Sequence, residues 1–452
     1  MSREEVAAIE LGVTTIGAGT AKLLVFAFLA IIVSVPIVQS VHEIAEGETP
    51  HALGVFTTVP SEHNYFEFER KLDDESVAGA WFLPRVQSLL VKLGAGNEQA
   101  YVDGDVLYYR PGIDYLTGPS FADPVQQRRR SLGGKSWEAP PSPDPLPAIR
   151  DFAEQLAERG ISLVLVPVPV KGQFEHWRDG GSSASLLDAL IAPNPNGLEE
   201  FQMAFVETGA RAWDPIASLA VHAGESGRFP FLKTDTHWTP EAMDEAALGL
   251  SRFLEYDPKH AALGPREEGR YRRGSASVTN LGDIAKMLRL PDDQAMFDPE
   301  TVTIEPVVTA DGTPWSKSAD AEVLVLGDSF ANIYSVDQMH WGQHAGFVEA
   351  LSFHLQRPVD RITINDAGAY ATRQELARRM ASGEDVLAGK KVVVWEFAAR
   401  EFAVGDWKII DLPEVVTPRA PLPAGGAVVR GKIAQRAPVP RPGSVPYKDC
   451  LF

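Results

Sequence analysis

Short apolar runs separated by amphipathic stretches set the rhythm of this chain. Leu163 to Val168, Val323 to Leu326, Ile362 to Ile364 and Val392 to Trp395 are too short for helices and largely apolar, as strands covered on both faces are. Between them apolar positions recur at helical spacing. Ile149, Phe152, Ala153 and Leu156 form one such face, ended by Gly160. Met243, Ala246, Ala247, Leu250 and Leu254 form another, started by Thr239 as N-cap, Pro240 in the first turn and the acidic Glu241. Strands alternating with helices predict an α/β fold with a mainly parallel sheet flanked by helices. Ligands of such sheets gather at the carboxyl ends of the strands.

Both ends of the chain depart from this rhythm. Leu23 to Val38 is almost wholly apolar and, with its small-residue flanks, long enough to cross a bilayer. Arg3 and Lys22 precede it and no Lys or Arg follows closely, which predicts a cytoplasmic N-terminus (1–22), a transmembrane anchor (23–41) and the remainder outside. A signal peptide cleaved near Val38-Gln39-Ser40 is the rival reading; the long mixed-charge leader favours a retained anchor, and Pro36 argues against a buried core helix. Residues 42–145 read as a stalk and N-terminal extension, closed by the proline-rich connector Ala139 to Pro145. The α/β domain then occupies 146–412, and 413–452 is a Pro/Gly-rich C-terminal extension, either an arm or a linker.

Composition narrows the classes. At 452 residues and 44% hydrophobic content the chain can bury one large core or two modest ones. A formal charge of −19, with no basic cluster beyond Arg128-Arg129-Arg130, excludes a general nucleic-acid binder. The single cysteine, Cys450, rules out an intramolecular disulfide.

Two short motifs carry candidate chemistry. Gly327-Asp328-Ser329-Phe330 leaves the Val323 to Leu326 strand directly, which places a serine on a tight turn at the sheet edge. Such a tripeptide is also good turn and helix-cap sequence. Asp235-Thr236-His237-Trp238 supplies the base a serine needs. With one residue between them, Asp235 and His237 share a face of an extended segment, and the carboxylate orients the imidazole. The alternatives are a surface Asp-x-His or half of a metal site. His176, His222, His340 and His344 offer no ligand spacing, so no metal is expected. No nucleotide or coenzyme A motif is present either, and no cofactor is expected.

With both motifs in place, the chain resembles the alginate O-acetyltransferases of the AlgX/AlgJ kind, whose SGNH-hydrolase-like domain carries D-x-H-W before G-D-S-F. Tyr108-Tyr109-Arg110-Pro111 with Asp114-Tyr115-Leu116, Val166 to Lys171, Gly282-Asp283-Ile284, and Trp395-Glu396-Phe397 with Arg400-Glu401 extend the likeness over roughly residues 80 to 410. The resemblance implies an SGNH-hydrolase-like fold and a two-step acetyl transfer in which Ser329 is the acetyl carrier, His237 the base and Asp235 its partner. It also implies a polysaccharide acceptor, and a membrane-bound O-acyltransferase partner that supplies acetyl groups to a periplasmic domain held at the cytoplasmic membrane. Besides the Ser329 N–H, Gly368 and Asn365 are the expected oxyanion donors, in the manner of the glycine and asparagine of SGNH enzymes; an ordinary βα turn is the alternative. Tyr334 and Arg373 are weaker candidates for substrate contact, against packing for Tyr334 and a surface pair with Glu375 for Arg373. Trp341 and Trp395 are candidates for stacking on sugar, Lys171 and Arg400 for lining the site, and Asp328 for turn hydrogen bonds. The same residues also suit an acetylesterase, and a non-catalytic polysaccharide-binding scaffold is the third reading.

Overall fold

The computed structural model describes residues 17–57, 59–178, 193–256, 263–365 and 368–415. The chain forms two units. One holds residues 1–89 with 289–291, the other residues 90–288 with 292–452. In the first, helix α1 (Ala18–Ala45) is long and apolar enough to cross a membrane, and its apolar side chains are exposed along its length. Helix α2 (Glu62–Asp74) is polar and capped by Ser61, whose Oγ accepts from the Asn64 N–H. Helix α3 (Val77–Lys92), whose last three residues fall in the second unit, is rich in large apolar residues.

The second unit opens with the hairpin β1 (Ala100–Asp103) and β2 (Val106–Tyr109). Helix α4 (Pro145–Ala157) begins inside the proline-rich connector, because Asp144 caps it by accepting from the Leu146 N–H and Pro145 fits the first turn. Strands β3 (Ser162–Val168) and β4 (Arg211–Ala212) follow, then α5 (Ile216–Ser226) and α6 (Pro240–Tyr256). Four short strands, β5 (Tyr271–Arg273), β6 (Ala276–Asn280), β7 (Glu300–Ile304) and β8 (Val307–Thr309), pair antiparallel, β5 with β8 and β6 with β7. The α/β rhythm resumes with β9 (Val323–Gly327), the one-turn α7 (Ser329–Asn332), α8 (Phe347–Leu355), β10 (Asp360–Thr363), α9 (Ala371–Ala381) and β11 (Val392–Ala398).

Five of these strands make one parallel sheet in the order β10-β9-β11-β3-β4. Side chains alternate between its two faces. Val323, Val325, Val392, Val394, Val164 and Val166 meet α6 and α8 in one core. Leu324, Leu326, Val393, Trp395, Leu163 and Leu165 meet α4 and α9 in the other. Both faces being covered explains why the strands read as apolar runs rather than alternating ones. The predicted mainly parallel sheet, flanked by helices, is therefore present.

The boundary expected at residue 145 falls elsewhere. Residues 90–145, assigned by sequence to the stalk, belong to the second unit: Tyr115 and Phe121 pack with Phe201 and Phe402, and the Leu107 carbonyl accepts from the Lys171 Nζ. Residues 1–16 and 416–452, which hold most of the expected leader and C-terminal extension, lie outside the described residues.

Candidate active site

Strand β9 ends at Gly327, where a Cβ would meet the Ala331 Cβ at 2.7 Å and the Glu396 Oε2 at 2.8 Å, so only glycine lets the chain turn here. Asp328 then fixes the turn as predicted. Its N–H donates to Glu396 Oε2 (3.0 Å), and its two oxygens accept from the Phe330 and Ala398 N–H groups (both 2.8 Å). Ser329 starts the following helix at the carboxyl edge of the sheet and is 7% exposed.

Asp235 and His237 come together differently from the extended arrangement expected. An antiparallel bridge between Phe231 and Trp238 closes a tight loop, with the Leu232 N–H donating to the His237 carbonyl (3.0 Å). Within the loop Asp235 Oδ1 accepts from the His237 N–H (3.1 Å) and from His237 Nδ1 (2.6 Å). Nδ1 thus holds the imidazole proton, which leaves Nε2 to accept from the Ser329 Oγ at 2.9 Å. The three side chains form a continuous hydrogen-bonded line.

Residues far away in sequence complete it. The Trp341 Nε1–H (2.9 Å) and the Asp283 N–H (3.0 Å) donate to Asp235 Oδ2, so each carboxylate oxygen takes two donors. Burial alone would push the Asp235 carboxyl up; the His237, Trp341 and Asp283 hydrogen bonds outweigh it and hold the group well below the usual carboxylate range. His237 shows the converse balance: burial pulls its pKa down, while the Asp235 hydrogen bond and the Asp235, Asp283 and Asp328 charges raise it overall. Asp283 accepts from the Thr236 N–H (2.7 Å), and its other oxygen lies 3.9 Å from His237 Nδ1. Burial and then the Asp235 charge push its carboxyl up to about 6, a rise that solvent tempers because the side chain is 34% exposed. In the sequence Trp341 reads as a candidate for sugar stacking and Asp283 as part of a family-like segment; their contact with Asp235 is not legible there, since that loop lies 106 and 48 residues away.

Asp235, His237 and Asp283 bring ligand-type atoms within 4.8 Å of one another, a spacing that also suits a cation. The hydrogen bonding fits a proton relay instead. Both Asp235 oxygens are saturated with N–H donors, and His237 Nδ1 donates a proton rather than offering a lone pair.

The two motifs are also bound to each other. Trp238 Nε1–H donates to the Phe330 carbonyl (3.2 Å), the two rings meet edge to face at 5.4 Å, and the His237 ring lies 4.6 Å from that of Phe330. Beside them a small cleft is lined by Tyr108, Tyr109, Lys171, Thr236, Phe330 and Arg400 among others. Lys171 is buried, donating to the Leu107 (2.7 Å) and Lys233 (3.2 Å) carbonyls and so tying β2 to the loop of Asp235. Burial pushes its ammonium down to about 8, against the pull of Asp235, Asp283, Glu300 and Glu175.

The sequence profile described as "SGNH hydrolase-like domain, acetyltransferase AlgX" matches residues 129–399, well over half of the chain, including Asp235, His237 and Ser329. The chain belongs to this family. Among AlgX-family relatives, it is 26% identical over 264 residues to "Probable alginate O-acetylase AlgJ" of Pseudomonas syringae pv. tomato, covering 57% of this chain and 62% of that protein. It is 27% identical over 184 residues to the protein of the same description from Pseudomonas aeruginosa, covering 40% and 44%. The chain thus matches less than two thirds of the length of these curated relatives. Among solved structures it is similar to the O-acetyltransferase domain of Pseudomonas putida AlgJ, with a TM-score of 0.45 and 21% identity over 68% of this chain and 91% of that one.

The remaining candidates within the AlgX-family domain divide sharply. Ile364, just past β10, donates its N–H to the Gly327 carbonyl (3.0 Å), which brings Asn365 to the sheet edge that carries Ser329. Asn365 Oδ1 accepts from Asn332 of α7 (2.8 Å), and Gly368 has φ +64°. Asp366 and Ala367 lie outside the described residues. Tyr334 does not face a substrate: it is fully buried and its hydroxyl donates to the Trp238 carbonyl (2.7 Å), a further tie between the motifs. Arg373 is neither at the site nor a surface partner of Glu375. It is fully buried against the Trp395 ring (4.5 Å) and donates to the Lys408 carbonyl (2.9 Å), while Glu375 pairs with Arg378 and Arg379. Trp341 and Trp395 are fully buried and cannot stack on a sugar in this conformation.

Proposed function

We propose that the chain is a membrane-anchored O-acetyltransferase that acylates hydroxyls of an exported polysaccharide through an acetyl-Ser329 intermediate. The observation that carries this reading is the line Ser329 Oγ, His237 Nε2 (2.9 Å), His237 Nδ1, Asp235 Oδ1 (2.6 Å), in a domain of the acetyltransferase family. In the first half-reaction the Ser329 hydroxyl gives its proton to Nε2 while Oγ bonds to the acetyl carbonyl carbon. The tetrahedral intermediate collapses, the donor's heteroatom leaves, and it takes the proton from Nε2. In the second half-reaction an acceptor hydroxyl gives its proton to Nε2 and attacks the acetyl-serine. Ser329 Oγ leaves and recovers that proton. Asp235 stabilises the imidazolium in both halves and stays ionised, as its depressed pKa requires. In this reading the Ser329 N–H is one oxyanion donor and Asn365 and Gly368 are the candidates for the other.

The helix Ala18–Ala45 serves as the anchor in this reading. Arg3 and Lys22 precede its apolar run, and the next basic side chains are Arg70 and Lys71, which supports a cytoplasmic N-terminus, a periplasmic catalytic unit and the cytoplasmic membrane as location. The names of the curated relatives point to an alginate-like acceptor, and a single candidate span among the described residues suits a membrane-bound O-acyltransferase partner as the source of acetyl groups.

Full-length protein given a chromogenic acetyl ester and oligosaccharides of several kinds should yield acetylated sugar by mass spectrometry, and Ser329→Ala should lower the rate by roughly 10³-fold or more. Acetate release with no acetylated sugar from any acceptor would make the chain an esterase. Unchanged activity in Ser329→Ala would remove the nucleophile altogether.

A further inference from the structure

Helix α3 spends its apolar residues on the outside. Trp81, Phe82, Leu83, Val86 and Leu89 are all exposed, Trp81, Phe82 and Leu89 by more than half, and of its sixteen residues only Val91 is buried. A soluble surface rarely carries such a run. The neighbouring α2, by contrast, carries seven Asp, Glu, Lys or Arg among its thirteen residues.

What lies against this face follows from where α3 begins. Gln39 of α1 accepts the Val77 N–H with its Oε1 (2.9 Å), satisfying a free donor of the first turn of α3. Its Nε2 donates to the Glu75 carbonyl (3.0 Å) and to Glu43 Oε1 (2.9 Å). His51 adds a second clasp, with Nδ1 on Glu43 (2.8 Å) and Nε2 on Glu75 (3.1 Å). The start of α3 is therefore pinned to α1 at residue 39, immediately after the apolar run that ends at Val38. That is the level at which a spanning helix leaves the hydrocarbon. The helices part from this point, since the large apolar side chains of α1 stay exposed and α3 covers none of them.

We infer that α3 lies in the membrane interface, with lipid as the partner of its apolar face. Trp and Phe at the head of such a helix suit the headgroup boundary. Arg85 and Lys92 have stems long enough to reach water from it, and the Arg85 guanidinium sits over the Trp81 ring at 4.3 Å, where its charge is held against the aromatic face. The inference rests on α1 being the anchor.

Single-site nitroxide labels test both steps separately. In full-length Cys450→Ser protein, labels at Phe28→Cys, Phe82→Cys, Val86→Cys and Lys71→Cys are placed in vesicles of phosphatidylethanolamine and phosphatidylglycerol. Their collisions with oxygen and with a water-soluble nickel chelate are then compared. The oxygen-to-nickel ratio at positions 82 and 86 should exceed that at 71 several-fold and approach that at 28. Ratios at 82 and 86 equal to that at 71, with 28 in lipid, would overturn the interfacial helix and leave the anchor standing. Exclusion of both reagents from 82 and 86 would also overturn it, in favour of a protein covering the face. A water-like ratio at 28 would remove the anchor and the interfacial helix together.

Discussion

Asp283 puts a second carboxylate 3.9 Å from the imidazole nitrogen that already serves Asp235. Its negative charge helps hold the His237 pKa above the ordinary value of about 6.5, and a base is active only when neutral. The acid limb of the kcat/KM profile should therefore lie above that value. Asp283→Asn keeps an oxygen for the Thr236 N–H but removes the charge, so the limb should move to lower pH by roughly half to one unit. An unmoved limb, measured from pH 4.5 to 9, would leave Asp283 with a scaffolding role only. Trp341→Phe takes one of four donors from Asp235 and keeps an aromatic ring in the buried place, with a void where the larger indole stood. It should lower kcat by about 5- to 150-fold, as expected for a lost hydrogen bond to a buried charge of about 1–3 kcal/mol. At this scale the sequence was half legible. Ser329, His237 and Asp235 stood in local motifs whose chemistry is readable from residue type and spacing. Trp341 reads only as a sugar-stacking candidate and Asp283 only as part of a family-like segment, because their contact with Asp235 is made by a loop that only tertiary folding brings to them. Arg373 misled for a related reason: nothing local reveals that its helix turns it inward, under the Trp395 ring.

Elements carry the precision of the site. Gly282 lies so close to the loop of Asp235 that a Cβ would come within 2.2 Å of the Thr234 carbonyl carbon and oxygen and 2.4 Å of the Asp235 nitrogen. Gly282→Ala should displace that loop, and a shift near 1 Å costs on the order of 10²-fold in rate. Kinetics and thermal melting on the same preparation would check that activity falls far more than stability does. Helix α6 anchors the loop from the other side, with Met243, Ala246, Ala247, Leu250 and Leu254 all buried as their spacing foretold. Leu250→Ala should cost about 2–5 kcal/mol in urea unfolding; a loss under 1 kcal/mol would contradict the tight packing there. The long periodic helices and the apolar strands were legible because burial on both faces of the sheet writes itself into composition. The antiparallel pairs β5–β8 and β6–β7 were not, since three- and five-residue strands with mixed exposure leave no period to read.

Stability of the whole molecule is tied to pH through the sheet itself. Glu396, in the middle strand β11, is buried, and burial followed by the Asp328 charge raises its pKa well above the usual carboxylate range. An acid with a raised folded pKa stays protonated when folded and ionises when unfolded, so stability is full below the unfolded value of about 4.3 and declines as pH rises toward the folded one. Glu396→Gln keeps an acceptor for the Asp328 N–H and removes that ionisation. Its urea midpoint should fall less than that of the wild type between pH 5 and 8, and parallel curves for the two proteins would refute the linkage.

One further consequence follows from the way Trp238, Phe330 and Tyr334 clasp the two motifs across ninety-two residues of chain. If Ser329 is the nucleophile proposed above, no fragment that emerges early in synthesis contains a working one. Ser329 has no base until the parallel sheet has closed over nearly the full length of the domain, and parallel pairings of such sequence separation form late and slowly. Chemical reactivity is thus the last property this protein acquires as it folds, and the first it should forfeit on partial opening, before its helices melt.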